Sequence, residues 1–305
     1  MTDTTSPPYR SGFIAVVGRP NVGKSTLMNY YLGQKIAIVS DKPQTTRHKQ
    51  LGIVTREDAQ VIFVDTPGLH EPRNELGKYM VETAARALID ADAILFIVDV
   101  SVPPGPSDER IAQLITDKPG ATPVVLALNK MDKLKPEDVL PFSNAYRLLV
   151  PAAQWFLISA KEGYNLDDLL TAIVGALPEG PALFPEDEVT LTHLRDLAAE
   201  FIREAALHLL EQEVPHGLAI EITAYQERSG GLTYISADIN VEREAHKRIV
   251  IGKSGQMLKA IGTSAREEIA KLLEKQVYLE LHVKTRKNWR SDAREVQRLG
   301  YRAEK

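Results

Sequence analysis

The chain has 305 residues, of which 44% are apolar and 26% are charged, with a formal net charge of −4. This composition is typical of a globular protein that can bury large cores, and the length favours two domains. The sequence contains no cysteine, which excludes disulfides and thiolate metal sites, and it has no apolar run long enough to cross a bilayer.

Residues 12–176 alternate short apolar runs with amphipathic stretches. GFIAVVG, QVIFVD and AILFIVDV are apolar almost throughout, as strands buried on both faces of a parallel sheet are. Helical periodicity separates these runs, so the sequence predicts an α/β domain with helices on both faces of a mostly parallel sheet. Residues 1–11, which precede this domain, are predicted to form a disordered tail. They have neither the apolar core of a signal peptide nor an Arg-rich amphipathic pattern, so we do not expect a targeting signal.

A stretch rich in proline and acidic residues, ALPEGPALFPEDE, predicts a linker over 177–189. Residues 190–305 then have a different order: a long helix, two strands, two helices around a glycine pair, a strand and a basic tail helix. The turn between the two strands is expected at RSGG, residues 228–231. This α-β-β-α-α-β order predicts a second, α+β domain.

The charge of the chain is unevenly distributed along the sequence. Residues 241–305 contain 16 Lys and Arg against 9 Asp and Glu, a net charge of +7. The other 240 residues contain 21 against 32, a net charge of −11. A basic end on an acidic chain indicates a polyanionic partner, although solvated helix faces would give the same counts.

The octapeptide GRPNVGKS at 18–25 matches the phosphate-binding consensus G-x-x-x-x-G-K-[ST]. It follows a predicted buried strand and opens a predicted helix, which is the context that this motif requires. Backbone N–H groups of the glycine loop and the helix N-terminus would hold the phosphates. Lys24 is predicted to contact the β- and γ-phosphates, and Ser25 is predicted to bind Mg²⁺.

Three further motifs indicate that the nucleotide is a guanine nucleotide. DTPG at 65–68 ends a strand, where Asp65 can hold Mg²⁺ through water and the N–H of Gly68 can contact a γ-phosphate. NKMD at 129–132 ends another strand, and the Asp132 carboxylate can accept from the N1–H and the 2-amino group of guanine. SAK at 159–161 follows the last strand of the domain, and its backbone can face the guanine O6.

The polar segment 40–52 is a candidate switch that orders around Mg²⁺ and GTP. A threonine hydroxyl in it should complete the Mg²⁺ shell, and we favour Thr46 over Thr45.

Many GTPases have a glutamine directly after D-x-x-G, but this chain has Leu69, so we expect slow turnover. His70 is a weak alternative for that role, and Asn21 could bind a K⁺ ion that supplies positive charge.

The segment VIGKSGQMLKAIG contains a second Gly-Lys-Ser, but it does not fit a second nucleotide site. Lys247 stands where the consensus needs a glycine, and the residues before the loop read as a helix. The alternative is a G-x-x-G loop between two helices, as in KH domains, where the backbone approaches four nucleotides. A helix–turn–helix corner without a ligand remains open. Basic residues that would neutralise phosphates are Lys247, Arg248, Lys253 and Lys259.

The basic, amphipathic tail KTRKNWRSDAREVQRLGYR allows three interpretations. Trp289 could stack on RNA bases, the tail could contact acidic lipid head groups, or the helix could cap the domain with Trp289 and Leu299 in its core.

Together these motifs closely resemble the bacterial Era GTPases. The resemblance rests on GRPNVGKST, PQTTRHKQLGI, FVDTPGLH, LNKMD, ISAK, HKRIVIGKSGQMLKAIG and VYLELHVKTRKNWR, and it extends from about Ser11 to Arg302. It implies a Ras-like GTPase domain followed by a type II KH domain.

The resemblance also implies site residues. Nucleotide contacts are expected at Gly18, Asn21, Val22, Gly23, Lys24, Ser25, Thr26, Asp65, Thr66, Pro67, Gly68, Asn129, Lys130, Asp132, Ser159, Ala160 and Lys161. The residues expected to act in catalysis are Lys24, Thr46, Asp65 and Gly68. RNA contacts are expected at Ile251, Gly252, Lys253, Ser254, Gly255 and Gln256 and at nearby basic residues.

The expected partner is the 3′ end of 16S ribosomal RNA, with a role in maturation of the 30S subunit. The resemblance further implies a cytoplasmic monomer, loosely associated with the inner membrane, that uses Mg²⁺ with GTP or GDP. Other interpretations are a GTPase with protein or membrane partners, a small-molecule kinase or ATPase, and an RNA-binding module with an inactive GTPase fold. Asp132 argues against the kinase or ATPase, and the intact motifs argue against the inactive module.

Overall fold

The computed structural model describes residues 8–42, 45–69, 71–72, 74–118, 120–228 and 230–302. The chain forms two compact units, and each unit is made of several separate segments of the sequence. The first unit comprises Met1–Ala37, Thr46–Glu71 and Met80–Leu191, and the second comprises Ile38–Thr45, Pro72–Tyr79 and Thr192–Lys305. Two segments from the first half of the sequence, 38–45 and 72–79, therefore belong to the second unit.

The first unit is built on a six-stranded sheet within the described residues, in the order β2-β3-β1-β4-β5-β6. β2 is antiparallel to β3, and the other neighbours are parallel. The strands are β1 (Arg10–Val17), β2 (Gln50–Thr55), β3 (Ala59–Asp65), β4 (Ala93–Asp99), β5 (Val124–Asn129) and β6 (Gln154–Leu157). The helices are α1 (Lys24–Leu32), α2 (Glu75–Asp90), α3 (Pro106–Thr116), α4 (Val139–Leu149) and α5 (Leu166–Ala176). The first residues of α2, up to Tyr79, are grouped with the second unit.

Side chains of β1 alternate between two cores, one on each face of the sheet. Ile14 and Val16 pack in the core that contains α1 and α5, whereas Ala15 and Val17 pack in the core that contains α2, α3 and α4. A strand covered on both faces must be apolar at every position, which explains the unbroken apolar runs in the sequence. The predicted three-layer α/β domain is confirmed, and the carboxyl ends of its parallel strands meet at one edge.

The structure differs from the sequence prediction at three places. The predicted tail over 1–11 is too long, because β1 begins at Arg10; residues 1–7 lie outside the described part. β2 was not predicted and occupies the end of the segment 40–52. The segment 177–189 is tied to the first unit: Gln60 Oε1 accepts from the N–H groups of Leu183 and Phe184, at 2.7 and 2.9 Å.

The second unit has a three-stranded sheet within the described residues, in the order β7-β8-β9. β7 and β8 are antiparallel, and β8 and β9 are parallel. The elements are α6 (Leu194–Leu209), β7 (Ala219–Arg228), β8 (Leu232–Val241), α7 (Glu244–Ile251), α8 (Gln256–Leu273), β9 (Gln276–Thr285) and α9 (Ala293–Arg298). This confirms the predicted α-β-β-α-α-β order with a tail helix. Ser229 of the predicted RSGG turn lies outside the described residues.

The core of the second unit lies on one face of this sheet. Ile235, Ala237, Ile239 and Val241 of β8 point into it together with apolar residues of α6, α7 and α8. Ile38, from the first half of the sequence, is 1% exposed in the same core. The alternate residues of β8, which include Tyr234, lie on the opposite face.

Candidate functional site

The predicted phosphate loop connects β1 to α1, and its backbone conformation requires glycine. Gly23 has φ +104°, and a Cβ there would lie 2.3 Å from Nδ2 of Asn129. Asn21 also has a positive φ, 65°, which asparagine tolerates better than most residues. α1 begins at Lys24 and has no acidic residue in its first turn. The N-terminal N–H groups of α1 therefore favour an anion at this loop.

Lys24 is buried in the loop. Its Nζ donates to the carbonyl oxygens of Gly18 and Arg19, both at 3.2 Å. Burial lowers the pKa of Lys24, and the nearby Asp65 carboxylate opposes that shift. A buried ammonium group held by backbone carbonyls is positioned to pair with a phosphate that binds in the loop.

Three side-chain oxygens converge beside the phosphate loop. Ser25 Oγ donates to Oδ2 of Asp65 at 2.7 Å. Thr46 Oγ1 lies 3.2 Å from Ser25 Oγ and 3.4 Å from the same carboxylate oxygen. The structure thus brings together residues from α1, from the segment before β2 and from the end of β3.

This oxygen cluster fits a Mg²⁺ ion. The other carboxylate oxygen of Asp65, Oδ1, is buried and has no hydrogen-bond partner within the described residues. Burial raises the pKa of Asp65, while Lys24 and the hydroxyls of Ser25 and Thr46 lower it. A buried carboxylate with an unsatisfied oxygen is costly unless a cation compensates it. Hydroxyl and carboxylate oxygens are ligands that Mg²⁺ accepts.

Thr45 is not part of this cluster. Its hydroxyl donates to the carbonyl oxygen of Lys42 at 2.6 Å, and both residues belong to the second unit. Within that unit, Oε1 of Glu204 accepts from the N–H of Val39 at 2.9 Å, and Arg203 donates to the Thr45 carbonyl. The predicted switch segment therefore has one half in each unit, and the change occurs between Thr45 and Thr46.

The predicted base-binding motifs also lie together. Asn129 is 2% exposed; its Nδ2 donates to the Val22 carbonyl at 2.6 Å, and its Oδ1 accepts from Ala160 N–H at 2.9 Å. It therefore links the phosphate loop to the SAK turn. Oδ1 of Asp132 accepts from Ser159 Oγ at 2.7 Å, which orients an otherwise exposed carboxylate. Lys161 is exposed and pairs with Glu162 at 2.9 Å.

The sequence analysis missed Asp99, which lies at the end of β4. Its Oδ2 accepts from Lys130 Nζ at 2.8 Å and so holds the lysine of NKMD. The available signal was its place as the last residue of an apolar strand on the same sheet edge as the other motifs.

The residues after Asp65 contribute mainly backbone. Thr66 is buried, and its hydroxyl donates to the Val16 carbonyl at 2.9 Å; Pro67 and Gly68 follow. Leu69 is 6% exposed and packs in a core of the first unit, so it is directed away from solvent. His70, the weak alternative for the missing glutamine, lies outside the described residues.

The second glycine pair forms the loop between α7 and α8. Gly252 has φ +73°, and a Cβ there would lie 2.6 Å from Cβ of Met257. The loop places Lys253 and Ser254 at the surface, and α8 starts directly after Gly255. Because the helix N-terminus and a glycine loop coincide, backbone N–H groups are available to a phosphate backbone.

A groove of about 370 Å³ runs from this loop along α8 to β9. It has an apolar floor with basic residues beside it, which suits unstacked bases and their phosphates. Its lining residues are Gly255, Leu258, Lys259, Gly262, Thr263, Arg266, Leu279 and Leu281. Of these, the sequence analysis had named Gly255 and Lys259. The others were detectable, because the α8 residues recur every three or four positions and the β9 residues alternate.

Comparisons with known proteins find matches for both halves of the chain. A family model described as a 50S ribosome-binding GTPase matches residues 13–130, and a KH domain model matches residues 213–290. GTPase Era of Geobacter metallireducens is 47% identical over 296 residues, covering 96% of this chain and 98% of that protein. GTPase Era of Alkaliphilus oremlandii is 46% identical over 294 residues, covering 96% and 99%. The chain belongs to the Era GTPase family.

Solved structures of Era support the same assignment. Era in complex with MgGDPNP and nucleotides 1506–1542 of 16S ribosomal RNA is 44% identical, with a TM-score of 0.92, and the match covers 96% of this chain and 99% of that one. A variant of Aquifex aeolicus Era bound to GDP·AlF4⁻ is 43% identical, with a TM-score of 0.90 and the same coverage. The predicted fold and the predicted resemblance are confirmed: this Era-family chain is a GTPase with a KH domain.

The remaining residues predicted to bind RNA lie on α7, in the loop and at the start of α8, and they are not among the residues that line the groove. Lys247 is half-buried, whereas Arg248 is exposed in the last turn of α7. Ile251 is half-buried against the core of the second unit, and Gln256 is exposed at the start of α8. In this Era-family chain these residues therefore lie on the two helices that the glycine loop joins, close in sequence to Gly255 of the groove.

The tail of this Era-family chain caps its domain. Trp289 is 0% exposed, donates from Nε1 to the Gly217 carbonyl at 2.9 Å and stacks on Tyr301 with ring centroids 5.7 Å apart. Leu299 is also buried. The alternative that Trp289 stacks on RNA is therefore wrong, because its ring is fully buried. Among the helices of the described residues, none has both the length and the hydropathy needed to cross a bilayer.

Proposed function

We propose that this chain is a GTP-controlled RNA-binding protein that binds the 3′ end of 16S ribosomal RNA and assists maturation of the 30S subunit. The observation that carries the proposal is the near full-length similarity to Era in complex with MgGDPNP and nucleotides 1506–1542 of that RNA. Two features of this chain support the proposal: the oxygen cluster at Asp65 and the groove beside Gly255.

In this proposal the Mg²⁺ ion neutralises charge on the β- and γ-phosphates when it is bound, and Ser25 and Thr46 are its protein ligands. Lys24 donates to the phosphate oxygens in place of the loop carbonyls. Asp132, oriented by Ser159, accepts from the guanine base. Asn129 maintains the distance between the phosphate loop and the base-binding turn.

We expect slow hydrolysis because Leu69, and not a glutamine, follows Gly68. Leu69 has an apolar side chain packed in a core, so it cannot orient a water molecule. We propose that K⁺, bound with the help of Asn21 in the phosphate loop, supplies the positive charge that other GTPases take from an arginine. Turnover should then be faster in KCl than in NaCl at equal ionic strength, and Asn21→Asp or Asn21→Ala should change that ratio. Equal rates in both salts would contradict the role of K⁺.

The localisation that fits this function is the cytoplasm, where we propose a monomer that meets the inner membrane peripherally through its basic end. The support is the net charge of +7 over residues 241–305, which suits both RNA and acidic lipids. Flotation with vesicles that contain or lack anionic lipid tests the membrane contact, and binding that is independent of anionic lipid would contradict it.

The deciding experiment measures binding of labelled RNA with the sequence 1506–1542 and of a scrambled RNA. The full chain and a Gly252→Asp, Gly255→Asp double variant are each loaded with GDP or with a non-hydrolysable GTP analogue. We expect the GTP analogue to raise affinity for the specific RNA, and the double variant to lose that affinity while it still binds nucleotide. Equal affinity for both RNAs would contradict RNA specificity, and equal affinity with both nucleotides would contradict control by GTP.

A further inference from the structure

The face of the β7-β8-β9 sheet opposite its core carries a stack of three flat side chains. Tyr234 and Tyr278 are directly paired across β8 and β9, and their rings are 5.9 Å apart and nearly parallel at 21°. On the other side of Tyr234, the guanidinium carbon of Arg228 lies 4.2 Å from the ring centroid. We call Arg228, Tyr234 and Tyr278 the aromatic stack.

The stack is held in place at its centre and open at one end. The hydroxyl of Tyr234 donates to Oε2 of Glu280 at 2.6 Å, and Arg228 covers its outer ring face. Tyr278 is 57% exposed, and its strand, β9, is at the edge of the sheet as described. The ring of Tyr278 can therefore accept another flat group without any rearrangement of the sheet.

The open end of the stack adjoins the groove proposed to bind RNA. Leu279 and Leu281 of β9 line that groove. Tyr278 precedes Leu279 in the same strand and so lies on the opposite face of the sheet. A strand of RNA that leaves the groove across the edge of β9 reaches the ring of Tyr278 next. The stack thus continues an existing candidate interface and is not an isolated surface feature.

The chemistry of this face favours a nucleobase over a protein partner. Two of its cations are already engaged, since Lys284 pairs with Asp238 at 2.6 Å and Arg228 lies over the ring of Tyr234. Among the described residues of β7, β8 and β9, Tyr278 is the large hydrophobic side chain that is exposed. A stable protein interface buries about 800 Å² per partner, whereas one exposed ring matches one base.

We propose that Tyr278, supported by Tyr234 and Arg228, stacks on a base of the single-stranded RNA just outside the groove. This inference rests on the proposed RNA-binding function and adds a contact to it. Base–aromatic stacking tolerates any base, so the contact increases affinity and site length more than it selects sequence. The cation–π contact from Arg228 keeps the tyrosine pair in a fixed orientation.

The test compares two RNA fragments on the full chain loaded with the GTP analogue. Truncation of the 1506–1542 RNA first defines the shortest fragment that still binds, which is the core fragment. The extended fragment adds three nucleotides at its 5′ or its 3′ end, and both versions are used. The proteins are the parent chain, Tyr278→Ala, the matched control Tyr278→Phe, and the Gly252→Asp, Gly255→Asp double variant.

We expect Tyr278→Ala to bind one of the extended fragments roughly 5- to 150-fold more weakly than the parent, as loss of one stacked base predicts. Tyr278→Phe should bind that extended fragment like the parent. The parent, Tyr278→Ala and Tyr278→Phe should bind the core fragment equally. A 5-iodouridine in the added nucleotides should cross-link to Tyr278 in the parent.

Two results would overturn the inference alone: affinities of Tyr278→Ala within twofold of the parent for both extended fragments, or equal losses on the core and extended fragments. The latter would mean that Tyr278 acts through the groove. If the double variant binds the core fragment as well as the parent does, the proposed function itself fails, and this inference fails with it.

Discussion

Thr45 and Thr46 are neighbours in the chain, but their hydroxyl groups contact different parts of the molecule. Thr46 Oγ1 is 3.2 Å from Ser25 Oγ in the oxygen cluster. Thr45 Oγ1 donates to the Lys42 carbonyl. Sequence reasoning favoured Thr46 without being able to exclude Thr45, because both residues precede the same strand and both carry a hydroxyl.

The isosteric pair Thr46→Val and Thr45→Val separates their roles. Loss of a Mg²⁺ ligand should raise the Mg²⁺ concentration needed for half-maximal GTP hydrolysis at least about 10-fold in Thr46→Val. Thr45→Val should leave that concentration unchanged and cost about 1 kcal/mol of stability through its lost hydrogen bond. Titration of the hydrolysis rate with MgCl₂ measures the first effect, and urea unfolding measures the second. If Thr45→Val raised the required Mg²⁺ concentration more than Thr46→Val did, Thr45 and not Thr46 would be the Mg²⁺ ligand.

The Lys130–Asp99 pair gives the molecule a defined response to acid. Burial raises the pKa of Asp99, but hydrogen bonds from Lys130 and Ser101 outweigh it, so the net pKa is below its ordinary value. An acid with a lowered pKa in the fold stabilises the protein above its unfolded pKa, about 3.9. That stabilisation is lost as the pH falls through the lower, folded value.

Asp99→Asn should therefore lower the free energy of unfolding by about 1.5–3 kcal/mol at pH 7, the range for a hydrogen bond to a charged group. Below the folded pKa of Asp99 the difference from the parent should shrink. Urea unfolding at pH 7, 4 and 3 measures this. The control is Asp58→Asn, whose partner Arg56 and carboxylate are both exposed, at 40% and 45%. A constant difference between Asp99→Asn and the parent at all three pH values would contradict the assignment.

At the scale of elements, the two tryptophans of the chain have opposite environments. Trp289 is fully buried and is hydrogen-bonded to Gly217. Trp155 is 40% exposed, with Arg147 over its ring at 4.6 Å. We expect Trp289→Ala to destabilise by about 3–5 kcal/mol and Trp155→Ala by about 1 kcal/mol or less.

Acrylamide quenching provides a readout for this difference that does not depend on stability. In a Trp155→Phe variant the remaining fluorescence comes from Trp289 and should be weakly quenched, with or without RNA. In Trp289→Phe the remaining fluorescence comes from Trp155 and should be strongly quenched. Strong quenching of Trp289 that RNA suppresses would restore the idea that its ring stacks on bases.

Most elements of the fold could be predicted from the sequence, for a physical reason. The parallel strands are covered on both faces, so β1, β3, β4 and β5 appear as continuous apolar runs. β2 could not be predicted in this way, because it is an edge strand that contains Gly52 and adjoins a polar segment. Its pairing with β3 depends on tertiary structure that no local pattern reports.

The sites were predictable to a different extent. The nucleotide motifs have fixed spacings, so the positions of Lys24, Asp65 and Asn129 followed from the sequence directly. The groove is formed by α8 and β9 together, and Leu279 and Leu281 enter it from a separate element. Sequence reasoning selected the basic residues near the glycines, because charge is visible in a sequence whereas the meeting of two elements is not.

At the scale of the whole molecule, the distribution of charge determines how binding to RNA should depend on salt. The chain as a whole is negative, with a net charge of −4, so its average field does not attract a polyanion. Binding must depend on cations close to the groove. Lys259 and Arg266 line the groove, and the nearby cations of α7 and the glycine loop are Lys247, Arg248 and Lys253.

If all five cations contact phosphates of a single strand, the plot of log affinity against log salt concentration should have a slope of about −3.5. Lys259→Gln and Arg266→Gln should each reduce the slope by about 0.7. Lys271→Gln is the control, because that exposed lysine of α8 pairs with Glu268 at 2.7 Å and is not among the residues that line the groove. Binding of the 1506–1542 RNA between roughly 50 and 300 mM KCl measures all four slopes.

A parent slope near zero, or an equal reduction in all three variants, would mean that these cations do not define the RNA site. A graded loss confined to Lys259→Gln and Arg266→Gln would show that local charge at the groove binds the RNA against the negative charge of the whole chain.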